Sequence, residues 1–166
     1  MSENLKNFLE KTETQLIDEI GRLSKKLAVI EKEKVHLETQ ETSMLQRLIE
    51  NILPVLGMVY QGGIKFPIAN TGHFYPEIVL YYDDRRKVFY TLTKNGEIME
   101  RDFITPSDVN LMPTWVFVSH CPLELAIHNI VSAMEQYKSF VTEAEQRHER
   151  RKSFLQQLPQ LKIPQT

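Results

Sequence analysis

The sequence predicts an α+β protein in three parts: a long N-terminal coiled-coil helix, a small antiparallel β-sheet domain and a long C-terminal helix. Between Leu9 and Met44 an apolar residue recurs at every seventh position, namely Leu9, Leu16, Leu23, Ile30, Leu37 and Met44. That is the period of a coiled-coil seam. From Val55 to His120 the apolar period shortens to two and turn residues come at short intervals, which is the pattern of strands. After Pro122 the apolar spacing returns to steps of three and four.

With Leu9 as a d position, the a positions are Lys6, Glu13, Ile20, Leu27, Lys34, Glu41 and Leu48. The expected oligomerisation row is therefore Leu9, Leu16, Ile20, Leu23, Leu27, Ile30, Leu37, Met44 and Leu48, with its driest stretch from Ile20 to Ile30. Lys34 and Glu41 at a restrict the register, since a charge there must reach water or a partner. Glu, Lys, Leu and Gln favour helix, against which Gly21 costs about 1 kcal/mol relative to Ala. The helix is expected over residues 1–53, closed by Pro54, because proline disfavours the α conformation in the residue before it.

Residues 54–121 read as the β-domain. Ile64, Phe66 and Ile68 alternate in a first strand, where Pro67 marks an edge position. Glu77 to Tyr82 and Lys87 to Thr93 pair across Asp83–Arg86, and the Asn95-Gly96 dipeptide predicts a type I′ turn into Glu97 to Ile104. Thr105 to Pro113 is rich in turn residues, and Thr114 to Ser119 reads as a short buried strand with Trp115 and Phe117 on one face. Alternation places Val79, Tyr81 and Phe89 opposite Ile78, Leu80, Tyr82, Val88 and Tyr90. One short helical segment cannot cover both faces, so Val79, Tyr81 and Phe89 form the expected partner surface.

The last helix is expected over residues 122–158, with Pro122 at its first position and Glu124 near the positive end of its dipole. Leu123, Ile127, Ile130, Met134, Tyr137 and Val141 begin a second seam. Residues 159–166 read as a flexible tail. Two seams allow an antiparallel stalk within one chain or a parallel dimer through the first helix, and the residue pattern leaves both open.

The 166 residues carry a net charge of -2, which argues against non-specific nucleic-acid binding. A single cysteine excludes an intrachain disulfide framework, and the chain shows neither a secretory leader nor a membrane-length apolar run. A soluble, cytoplasmic protein is expected. Cys121 beside His120 invites comparison with a nucleophile, since a helix start lowers a thiol pKa. No positioned second group is visible, however, and lone cysteines are commonly buried as small hydrophobes. The five histidines lack HExxH spacing, no CxxC occurs, and the GxxxxGK[ST] pattern is missing around Gly62 and Gly63, so no metal or cofactor is expected. Asp83, Asp84, Glu100 and Asp102 read as a solvated rim.

Arg147, Arg150, Arg151 and Lys152 form a basic helix end that could touch phosphates. Glu143, Glu145 and Glu149 interrupt it, which favours a solvated helix face over a nucleic-acid contact. The expected function is a non-enzymatic coiled-coil interaction protein, an oligomeric adaptor, scaffold or chaperone-like subunit presenting its β-domain to a protein partner. Its expected associations are a homo-oligomer, with a dimer favoured, or a hetero-coiled-coil partner. A DNA-associated accessory factor and, more remotely, a cysteine-dependent enzyme are the alternatives.

Overall fold

The computed structural model describes residues 3–157, with side chains described from residue 12. Leu9, as a seam side chain, and the tail at 159–166 lie outside the described residues. The architecture is α+β: α1 (Glu3–Gln61), β1 (Phe66–Ile68), β2 (His73–Tyr75), β3 (Ile78–Asp83), β4 (Val88–Leu92), β5 (Ile98–Asp102), β6 (Val109–Met112), α2 (Thr114–His120) and α3 (Leu123–Gln157). The chain divides into two compact units, Met1–Ser43 and Met44–Thr166.

Helix α1 does not end at Pro54 but continues to Gln61. An internal proline costs roughly 3 kcal/mol, through a lost N–H bond and a ring clash. Pro54 itself faces solvent, while Leu56 and Val59 in the added turns are fully buried. Burying one such side chain returns about 1.5–3 kcal/mol, so the two together offset the proline.

The four-stranded antiparallel sheet has the order β3-β4-β5-β6. Its first three strands match the expected meander. The fourth, β6, arises inside the stretch expected to be turns, where Leu111 pairs with Met99 and Val109 with Arg101. The expected first strand becomes one half of a separate ribbon, in which β1 pairs with β2.

At the β4–β5 connection Gly96 has φ +81° but Asn95 has no positive φ, so the turn is not type I′. Instead Gly96 N–H donates to Thr93 C=O at 3.0 Å and Thr93 N–H to Glu97 C=O at 2.8 Å. This is a three-residue loop with glycine in the left-handed position, a common hairpin solution. The left-handed φ favours glycine, and an added Cβ would also crowd α1, at 3.0 Å from Ile49 Cγ2 and 3.2 Å from Leu53 Cδ1.

Residues 114–119 form helix α2 rather than a strand. A short apolar run cannot be assigned by periodicity alone. Here Phe117, Val118 and Cys121 are buried together, a spacing one helical turn brings to one side, while Trp115 is 65% exposed. Val116 and Phe117 N–H groups both donate to Pro113 C=O at 3.0 Å, starting the helix.

The main core lies between the sheet and the helices: Leu45, Ile49, Leu56 and Val59 of α1, Ile78, Leu80, Tyr90, Leu92 and Ile98 of the sheet, Phe117 of α2, and Ala126, Ile130 and Ala133 of α3. A second small cluster, Ile68, Val79 and Phe89 with Tyr75, Tyr82 and Phe103 at its margin, fills the other side of the sheet beneath the β1–β2 ribbon. A bulge in β3 divides the two clusters. Tyr81, not Leu80, pairs with Tyr90, and Tyr82 pairs with Phe89. The extra residue reverses the alternation, so Leu80 and Tyr81 both belong to the helix-facing side and Tyr82 to the other.

Candidate functional site

Three features of the molecule bear on function, and the seam comes first. Leu16, Ile20, Leu23, Leu27, Ile30 and Leu37 are each 54–64% exposed. A row of six large aliphatic side chains left in water is an apolar stripe of the kind that marks an interaction site. Met44 is also exposed, but Leu48 packs against the main core of its own unit, so it leaves the oligomerisation row. The buried row beginning at Leu45, with Ile49, Leu56 and Val59, belongs to the sheet instead. Along the seam Lys34 Nζ lies 3.6 Å from Glu38 one turn later.

The expected partner surface is not open. Val79 is 4% exposed and Phe89 is fully buried, because the β1–β2 ribbon supplies a cover that strand alternation alone does not reveal. Tyr75 meets Phe89 edge to face at 5.0 Å. Tyr81, displaced by the bulge, lines an open groove of about 360 Å³ with Asn70, Tyr82, Asp84, Leu125 and Asn129.

The two outer strands of the sheet differ in their protection. Where β3 meets β4 the Tyr60 hydroxyl of α1 accepts from Ile78 N–H at 3.2 Å and donates to Leu92 C=O, bridging the two strands. Asn129 Nδ2 donates to Leu80 C=O at 3.0 Å, so a side chain of α3 takes up a backbone acceptor of this strand. β6 is the other terminal strand, and its Val109 and Leu111 are exposed on one face. Edges left apolar and uncovered are templates for another strand. The sequence signal for β6 is only Val109-Asn110-Leu111, too short to stand out beside Pro106, Asp108 and Pro113.

Two polar networks brace the sheet. In one, Arg101 Nη2 donates to Glu77 Oε2 at 2.7 Å, Arg101 Nε to Thr91 at 3.0 Å, and the Thr91 hydroxyl to the same carboxylate at 2.8 Å. Arg101 also lies 5.1 Å from the centre of the Tyr75 ring. In the other, the Tyr90 hydroxyl donates to Glu100 at 2.8 Å and accepts from Arg86 at 2.8 Å, while Arg86 bridges to Glu100 at 3.1 Å. Each network satisfies its own groups, and among the described residues no buried side-chain polar atom lacks a partner.

Cys121 borders the second network. It is the C-cap of α2, its N–H donating to Phe117 C=O at 2.8 Å, rather than the first residue of a helix. Burial pushes its thiol up to about 12, the direction opposite to what a nucleophile needs, and the hydrogen bond with Tyr90 only partly counters this. The acidic residues do not converge. Asp83 accepts backbone N–H groups of Arg85 and Arg86, Asp102 those of Ile104 and Thr105, and Asp84 pairs with Lys87 at 2.6 Å. Those backbone bonds hold the Asp102 carboxyl below the usual carboxylate range, and Lys87 does the same for Asp84. Among the described residues no group of three or more potential metal ligands gathers.

Arg147, Arg150, Arg151 and Lys152 are exposed on α3, with Arg147 Nε donating to Glu143 C=O at 3.3 Å. Among the described residues no helix is long and apolar enough to cross a membrane. Comparison with protein-family models, with curated proteins and with solved structures finds no match.

Proposed function

We propose that this chain is a non-enzymatic interaction protein that assembles through the seam of its N-terminal helix and offers its β-domain to a protein partner. The exposed row from Leu16 to Leu37 carries the reading, since a long apolar stripe left in water on a single chain marks a surface that another surface covers. The uncovered edge at β6 supports the second half: an extended segment of a partner can add there as a strand, with Val109 and Leu111 meeting its side chains. The raised Cys121 thiol weighs against the cysteine-enzyme reading. The DNA-associated reading rests on a basic end interrupted by three glutamates and ranks below the first.

The test is the molar mass of the full chain by light scattering across a concentration series, beside the Leu23→Glu, Ile30→Glu variant. Assembly predicts a multiple of 19.5 kDa for the parent chain, and a monomer with an intact sheet for the variant. A parent chain that stays monomeric at high concentration removes self-assembly from the proposal.

A further inference from the structure

We infer that the seam joins two copies of this chain antiparallel, in the register that sets Leu27 of one copy against Ile30 of the other. This inference rests on the self-assembly proposed above, and charge complementarity along the helix selects its orientation. In a parallel, in-register pair each a position faces its own copy. Glu13, Lys34 and Glu41 would then each meet a like charge inside the seam. At the flanks Lys26 would attract Glu31 but Glu33 would repel Glu38, so the flanks do not compensate.

In an antiparallel pair, a positions face d positions and g faces g. With Leu27 against Ile30, Ile20 meets Leu37, and both layers occur twice by symmetry. Lys34 meets Leu23, over which its aliphatic stem can lie while its ammonium reaches Glu38 of its own chain, already 3.6 Å away. Lys26 of each copy meets Glu33 of the other, and the remaining flanking pairs are Glu19 with Gln40, Ser24 with Glu31 and Ile17 with Glu38. None is a like-charge pair. The neighbouring registers fail this test: one sets Lys26 on Lys26 and Glu19 on Glu33, and the other sets Glu31 on Glu31 and Glu33 on Glu33.

The area suffices. Six aliphatic side chains more than half exposed would hide about 600 Å² per copy, or about 1,200 Å² in all, the lower bound of stable specific interfaces.

Two measurements on the full chain test the inference. Nitroxide labels are placed at Gln15→Cys or Val29→Cys in a Cys121→Ala background, and pulsed electron resonance reads the distance between copies. The antiparallel register predicts about 40 Å at position 15, from 27 residues of axial offset at 1.5 Å each. At position 29 the copies lie side by side, roughly 20 Å or less apart. Short distances at both positions would mean a parallel pair and overturn the inference while leaving self-assembly standing. A monomeric parent chain overturns both, and a trimer or tetramer overturns the two-chain assignment.

The second measurement uses charge. Glu33→Lys turns two attractions into two repulsions in the antiparallel register and should raise the dimer Kd about tenfold at low salt. Adding Lys26→Glu should restore it. In a parallel pair Glu33→Lys would instead meet Glu38 and lower Kd, which would refute the orientation.

Discussion

Tyr60→Phe isolates a single hydroxyl that ties the end of α1 to two strands. The oxygen accepts from Ile78 N–H at 3.2 Å and donates to Leu92 C=O. Ile78 is 1% exposed and Leu92 is fully buried. Phenylalanine keeps the ring and its edge-to-face contact with Phe66 at 6.3 Å, so no packing volume is lost. What remains is one buried donor and one buried acceptor without a partner, each costing about 1–3 kcal/mol. The expected loss is therefore about 2–6 kcal/mol, a large share of the stability of an ordinary domain. Urea unfolding followed by circular dichroism should show the midpoint falling with the slope unchanged. A loss under about 0.5 kcal/mol would mean that water reaches both backbone groups, and the clamp would then not hold α1 past Pro54.

Other perturbations have equally definite outcomes. Gly96→Ala forces a left-handed φ on a residue with a Cβ and presses that Cβ to 3.0 Å from Ile49; a loss of about 2–4 kcal/mol in urea unfolding is expected, and an unchanged midpoint would show that the loop rearranges freely. Arg101→Met leaves the Glu77 carboxylate short of its cation and should cost about 2–3 kcal/mol. Adding Glu77→Gln should cost less than the sum of the single changes, and strict additivity would deny the coupling.

The Cys121 thiol should resist a disulfide exchange reagent at pH 8 until the chain unfolds, whereas rapid labelling of the folded protein would refute its burial. Its folded value of about 12 stands above the ordinary 9.0, so its contribution to stability is full below pH 9 and is lost as pH rises toward 12. Burial shifts the Tyr60 and Tyr90 hydroxyls in the same direction. The urea midpoint should therefore fall steadily above pH 9, less steeply in Cys121→Ala, and a flat profile to pH 11 would contradict the assignment.

What the sequence determined by itself is whatever depends on a period held over many residues. The heptad row persists from Leu9 to Met44, and the alternation in Ile78–Tyr82 and Val88–Leu92 is bounded by turn residues, so both long helices and the central hairpins were legible without a fold. The same pattern marks the apolar row from Leu16 to Leu37 that the structure leaves exposed. Tertiary structure decided wherever a distant contact outweighs a local preference. Pro54 argues for a helix end, yet buried Leu56, Val59 and the Tyr60 clamp carry α1 to Gln61. Val116 and Val118 suit a strand, yet the core takes Phe117, Val118 and Cys121 from one helical turn. The partner surface at Val79 and Phe89 disappeared for a related reason. A one-residue bulge at Leu80 leaves no mark in composition, and the cover over those residues comes from a ribbon whose position follows from packing rather than from its own residues. Local periods specify which residues must be buried, and only the assembled chain specifies by what.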